Sequence, residues 1–270
     1  TSVIAGVVVL DMDKPLQPRV RAVLPFNRAH STALQFRYLF VTDADGFHVV
    51  DVTNPDQPRK VPGATIPLKQ AHRIYVARAY AYVAAGSEGL AIIDIERVEK
   101  PKVYMMYTAD GQITDAQDVV VGSTNATAYA YVADGKNGLK VISLTAPNNQ
   151  PNFYGFNPEP KPELISWWPT RWPALSLSKG IDRDRGVDET GHQIAIFGRV
   201  GSRPLNLKEQ QALYLDKDGK PWFVEDQVRM EDFVGNPNRR RRVPVTSRAV
   251  EAQPIEAPSG AGAAGFRFRR

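Results

Sequence analysis

The stretch Tyr80-Ala-Tyr-Val-Ala-Ala-Gly86-Ser-Glu-Gly89-Leu-Ala-Ile-Ile-Asp94-Ile consists of two strand-length apolar runs joined by a Gly-x-x-Gly turn. Aromatic and β-branched residues favour the pleated conformation, and glycine supplies the positive φ that a tight turn needs, so the stretch reads as a β-hairpin. It recurs. Gly6-Val-Val-Val-Leu-Asp11, Gly46-Phe-His-Val-Val-Asp51 and Gly138-Leu-Lys-Val-Ile-Ser143 align with Gly89–Asp94 without gaps, their glycines 40, 43 and 49 residues apart. A period near forty residues, with two or more strands in each unit, predicts an all-β fold: a β-propeller, or a propeller fragment, of four-stranded blades.

Other features keep the same phase. Proline follows the Asp/Ser position by four residues at Pro15, Pro55 and Pro147, and by seven at Pro18, Pro58 and Pro101. Asp11, Asp51 and Asp94 therefore close a strand just before a proline turn, where a carboxylate caps backbone N–H groups. Upstream of each hairpin lies a further strand, within Ala29–Leu34, Ala71–Val76 and Ala116–Val121. In a propeller this strand would line the central channel. It places His30, His72 and Gln117 at equivalent positions, as candidates either to meet a ligand at the channel mouth or to hydrogen-bond a neighbouring blade.

The pattern Tyr-x-Tyr-Val-Ala-x-Gly-x-x-Gly-Leu-x-Val-Ile-Asp-Val with spaced prolines resembles the LVIVD-repeat β-propeller family of bacterial secreted and surface proteins. Gly86–Ile95 and Gly135–Leu144 carry the resemblance most fully, and it covers residues 1–151, about three and a half repeats. A closed ring typically takes about four to eight blades. Blades outside this chain, strands from the later segment or a partner are thus expected to cover the open edge, which would otherwise be adhesive.

Charge is unevenly placed. The net charge is +5, but residues 239–270 hold eight Arg against two Glu, a local +6 that leaves the rest of the chain at −1. Arg239-Arg240-Arg241-Arg242 therefore marks a basic tail, residues 239–270, that settles on an acidic partner; no nucleic-acid reader motif accompanies it. With 43% hydrophobic and 23% charged residues the body can bury a core. Zero cysteines exclude disulfides, thiolate metal sites, a cysteine nucleophile and covalent c-type haem. No apolar run reaches the length that spans a bilayer, and Thr1 opens directly into strand-like sequence with no visible signal peptide.

Residues 152–238 read as an extension packed on the propeller. Seven prolines fall within residues 147–173, around Trp167, Trp168 and Trp172, so the segment runs extended and its tryptophans need cover. They are expected either to pin the strap to the propeller or to form a protein interface. A carbohydrate platform is a further option. Asp182, Asp184 and Asp188 alternate as in a calcium loop, but Val187 stands where an EF-hand needs glycine, and Arg183 and Arg185 are available to pair with the acids. His192 has no nucleophile signature nearby. Asn206-Leu-Lys-Glu209 is a capping-box start for a short helix, and Asp218-Gly219 a hairpin turn. Asn125-Ala-Thr127 is a glycosylation sequon.

Ile181–Leu207 is similar to extensions that follow LVIVD repeats in bacterial proteins accompanying multihaem c-type cytochromes. That resemblance implies an extracellular, cell-surface or periplasmic electron-transfer assembly in which haem sits only on a partner. The resulting expectation is a non-catalytic scaffold subunit that docks on other proteins. Its rivals are a propeller hydrolase with a channel metal, drawing on His30, His72, Gln117 and Asp118, and a glycan-binding adhesin using the three tryptophans.

Overall fold

Each glycine-led hairpin is the middle of an antiparallel sheet. The computed structural model describes residues 6–123, 128–146, 158–178, 185–187, 193–196, 199–200, 203–204 and 206–221. The first complete blade is β3 (Ser31–Gln35), β4 (Tyr38–Asp43), β5 (Gly46–Asp51) and β6 (Arg59–Pro67), paired in that order. The second is β7 (Ile74–Ala77), β8 (Tyr80–Ala84), β9 (Leu90–Asp94) and β10 (Lys102–Tyr107). The third is β11 (Asp118–Ser123), β12 (Ala128–Ala133), β13 (Leu139–Ser143) and β14 (Glu163–Trp168). Before them, β1 (Val7–Asp11) and β2 (Arg19–Leu24) form a two-stranded half-blade in phase with the third and fourth strands of the others. Residues 163–168, which the sequence reading places in the extension, are the outer strand of the third blade.

Burial follows from stacking sheets face to face. Second and third strands have neighbours on both sides, so Phe40, Val41, Phe47 and Val50 in the first blade, and Val83, Ala84, Leu90 and Ile93 in the second, are fully enclosed. Outer strands alternate or lie open. Along β3, Ser31, Ala33 and Gln35 face the second blade: Ser31 Oγ accepts the Ile74 N–H at 3.4 Å, Ala33 joins the core between the two blades, and Gln35 Nε2 donates to Arg78 O at 2.9 Å. Thr32 and Leu34 face the other way. First strands β3, β7 and β11 lie beside one another, so the blades converge on their inner edges, as in a propeller.

The leading glycines are required by close approach as well as by dihedral angle. At Gly138 (φ +79°) a Cβ would sit 2.1 Å from Trp168 O, and at Gly89 (φ +82°) 2.4 Å from Tyr107 O. In both cases the obstacle is the carbonyl of the fourth strand, which cannot move without opening the sheet.

Downstream come two small antiparallel pairs, β15 (Arg185–Val187) with β16 (Gln193–Ile196), and β17 (Arg199–Val200) with β18 (Arg203–Pro204). Helix α1 (Leu207–Tyr214) follows. Its Asn206 cap accepts the Glu209 N–H while the Glu209 carboxylate accepts the Asn206 N–H, the reciprocal capping box that the sequence predicts. Asp216 accepts the Asp218 and Lys220 N–H groups, closing the predicted turn. The described residues all belong to one compact unit. No helix among the described residues is long and apolar enough to cross a membrane.

Candidate functional site

The polar residues that the repeat brings into phase are used to build and join blades. Asp11, Asp51 and Asp94 accept the N–H two residues on, at 2.9, 2.8 and 2.9 Å, before their turns. The His30 Nδ1 lies 2.6 Å from Ala71 O; a carbonyl can only accept, so this nitrogen carries the proton and His30 ties the first blade to the second. The His72 ring lies 5.8 Å from that of His30. Burial, then the neighbouring His30, holds the His72 pKa below its ordinary 6.5, with Asp115 pulling the other way. Among the described residues His72 Nε2 is enclosed without a hydrogen-bond partner, a cost that falls less heavily on a neutral ring than on a charged one. Gln117 donates to Asp115 beside it. Among the described residues no group of three His, Asp or Glu is placed to hold a metal.

Asp118, 1% exposed, is the most connected of these residues. It lies 3.4 Å from Arg73 Nε in the second blade and accepts the Leu177 N–H at 2.8 Å and the Ser176 hydroxyl at 3.2 Å. Leu177 stands to Asp118 as Ile74 stands to Ser31, one repeat position apart on successive blades. A second pairing agrees. Gly86 and Ala116 exchange backbone hydrogen bonds where the second blade meets the start of the third, and Gly135 and Ala174 do the same one step further. Residues 174–177 therefore occupy the position from which a fourth blade would begin. Sequence reading missed this; the signal was an alanine at 174 in register with Ala29, Ala71 and Ala116.

No fourth four-stranded sheet follows among the described residues, and helix α1 covers the far face of the third blade instead. Tyr129, Val141 and Ile165 are buried beneath Leu207 and Tyr214. The hydroxyls of Tyr131 and Tyr214 are 3.0 Å apart, and the fully buried Gln210 donates to Thr145 O at 3.4 Å. Burial pushes the Tyr214 pKa up, so its phenol keeps its proton.

The tryptophans stand at the end of the third blade and just beyond it, open to solvent to different degrees. Trp167 and Trp168 lie in β14 opposite Lys140 and Leu139, 40% and 37% exposed; Trp172, with the Arg171 guanidinium 5.7 Å from its ring, is 72% exposed and Leu175 63%. Arg239, Arg240, Arg241, Arg242, Asp182, Asp184, Asp188, His192 and Asn125 lie outside the described residues.

Residues 28–61, 69–98 and 114–149 match the model of the LVIVD repeat. The chain contains three LVIVD repeats. The three matches fall on the three complete blades, each LVIVD unit beginning just before the first strand and taking in the glycine-led hairpin. No match is found among curated proteins.

Proposed function

We propose that this chain is a non-catalytic β-propeller subunit that docks on other proteins through the surface around Trp167, Trp168, Trp172 and Leu175. The observation that carries the reading is that each of these side chains is exposed, within one short stretch of chain at the end of the third blade and the start of the strap. Aromatic side chains bury more apolar area than most and gain most from a covering partner when left in water, which is why tryptophan concentrates at the centres of protein interfaces. The in-phase polar residues, by contrast, are engaged between blades. They build the fold and leave the contact surface to the extension.

The partner we assign is a multihaem c-type cytochrome in an extracellular, cell-surface or periplasmic complex. Two things support it: the likeness of Ile181–Leu207 to extensions that accompany such cytochromes, and a cysteine-free sequence that leaves covalent haem entirely to the partner. The Arg239–Arg242 run would add attraction to an acidic surface. The test is affinity purification of the tagged full chain from its native host, followed by haem staining of the co-purifying chains. A haem-bearing chain is expected to be retained by the wild type and lost from the combined Trp167→Ala, Trp172→Ala variant, with an unchanged β circular dichroism spectrum. A variant that retains the same partners, or a wild type that retains none, overturns the reading.

A further inference from the structure

We propose that Thr65 is an acylation site: its exposed hydroxyl, paired with the His48 ring that Asp43 holds from the other side, takes an acyl group from an activated ester. The reaction is one covalent modification of the chain, with no turnover of a substrate. It goes beyond the docking function and leaves that function as it stands.

Repeat phase shows that the fold itself does not require these side chains. The second residue after the leading glycine is His48 in the first blade, Ala91 in the second and Lys140 in the third. Opposite them on the fourth strands stand Thr65, Met106 and Trp167. Asp43 ends its strand as Asp134 does in the third blade, where the carboxylate accepts the Thr114 and Asp115 N–H groups. Asp43 has the same backbone duty, accepting the Asp45, Gly46 and Asn27 N–H groups at 2.8, 3.1 and 3.2 Å. Among the described residues only the first blade adds a histidine to that carboxylate.

The contacts fix where each proton sits. Asp43 is 1% exposed and His48 7%, and His48 Nε2 lies 2.8 Å from Asp43 Oδ1. A carboxylate only accepts, so Nε2 carries the proton; in the neutral ring Nδ1 then offers its lone pair to the Thr65 hydroxyl, 3.2 Å away. The Phe26 ring stands edge-on to the imidazole, centroids 5.4 Å apart, and helps to hold it. A hydroxyl, a base and a positioning carboxylate in that order make the threonine a nucleophile.

Sheet register sets the surroundings of the hydroxyl. The Leu68 N–H donates to Asp45 O, and alternation along the ladder makes His48 and Thr65 a non-hydrogen-bonded pair. Side chains approach most closely in such a pair, and the Thr65 N–H points away from β5. Among the described residues β6 is the outermost strand of its sheet, so that N–H faces outward and is the donor available to the oxyanion formed as a carbonyl is attacked. Beyond Thr65 the ladder passes over residues 61–64 and resumes at Val50 with Lys60, a bulge beside which Thr65 lies exposed.

Thr65 Oγ bonds to the carbonyl carbon while its proton passes to His48 Nδ1. The bond from that carbon to the leaving oxygen then breaks, and the leaving group takes the proton from Nδ1. The chain is left with an ester on Thr65 and a neutral His48.

The probe is p-nitrophenyl acetate, incubated with the full chain and read by peptide mass spectrometry. An acetyl ester on Thr65 is expected, formed faster than on Thr32, an exposed threonine of β3 with no histidine contact among the described residues. His48→Gln is expected to slow the labelling about a hundredfold or more, with an unchanged β circular dichroism spectrum, since Ala91 and Lys140 serve at that position in the other blades. Thr65→Ser keeps the hydroxyl and is expected to keep the label. The proposal is overturned by a Thr65 labelled no faster than Thr32, by labelling indifferent to His48→Gln, or by an unlabelled Thr65→Ser; the serine variant leaves the ring untouched and decides the case if His48→Gln alters the spectrum. None of these outcomes depends on the tryptophan variants, so this proposal and the docking function fail separately.

Discussion

The two edges of the described blades meet the same physical problem and differ in how it is met. Beyond the third blade, α1 covers Tyr129, Val141 and Ile165; before the first, the half-blade leaves Leu10, Val20, Val23 and Leu34 in water. Stacked repeats bury one another's faces, so a terminal unit needs a cap of a different kind or a continuation of the same kind. The C-terminal end has the former. Backbone pairing at Gly135 and Ala174 starts a fourth blade there, and a helix then takes its place.

Phase-matched substitution is the sharpest way to break this comparison. Val50→Asp puts an unpaired charge into an enclosed core and is expected to cost about 3–5 kcal/mol, whereas Leu10→Asp at the same repeat position is expected to change stability by less than about 0.5 kcal/mol. Urea midpoints at constant slope measure both. Equal costs would mean that the outer face of the half-blade is already covered.

At the capped end, Ile165→Ala removes a buried side chain held between β14 and α1 and is expected to cost about 2–4 kcal/mol. Exposed Val23→Ala, its counterpart at the open end, is expected to fall within about 0.5 kcal/mol of wild type. Asn206→Ala sharpens the point with a smaller effect. Loss of the N-cap should cost about 1 kcal/mol, visible as faster hydrogen exchange in α1 before any change in the first two blades.

The smallest expected effect compares successive blades. Burial holds His72 below its ordinary pKa of 6.5, so on acidification the unfolded chain takes up the proton first. Its contribution to stability is complete above pH 6.5 and declines as the pH falls below it. His72→Gln, which installs the residue that the third blade carries at Gln117, is expected to shrink the drop in urea midpoint between pH 7.5 and 5.5. An undiminished drop would assign it to other groups.

The hairpins were legible because their information is local. A glycine at fixed phase, an Asp before a proline turn and a strand-length apolar run each act within a few residues, and Gly89, Asp94 and Leu90–Ile93 behave as those rules require. The start of α1 was legible for the same reason, through Asn206 and Glu209. Strand β14 was not. A proline-rich insertion separates it from β13, and its pairing with Leu139–Ser143 is a long-range match that proline spacing does not encode. The tryptophans were expected to need cover, yet Trp172 lies open, because exposure depends on what stands opposite and not on the residue itself.

By itself the sequence determined the repeat, the blades and the turns that shape them, since the phased glycines, aspartates and prolines specify conformation over short distances. Only the tertiary structure decided which faces are closed. Val50 and Leu10 hold the same repeat position, and one is enclosed while the other meets water. The difference lies wholly in whether another blade stands in front of them.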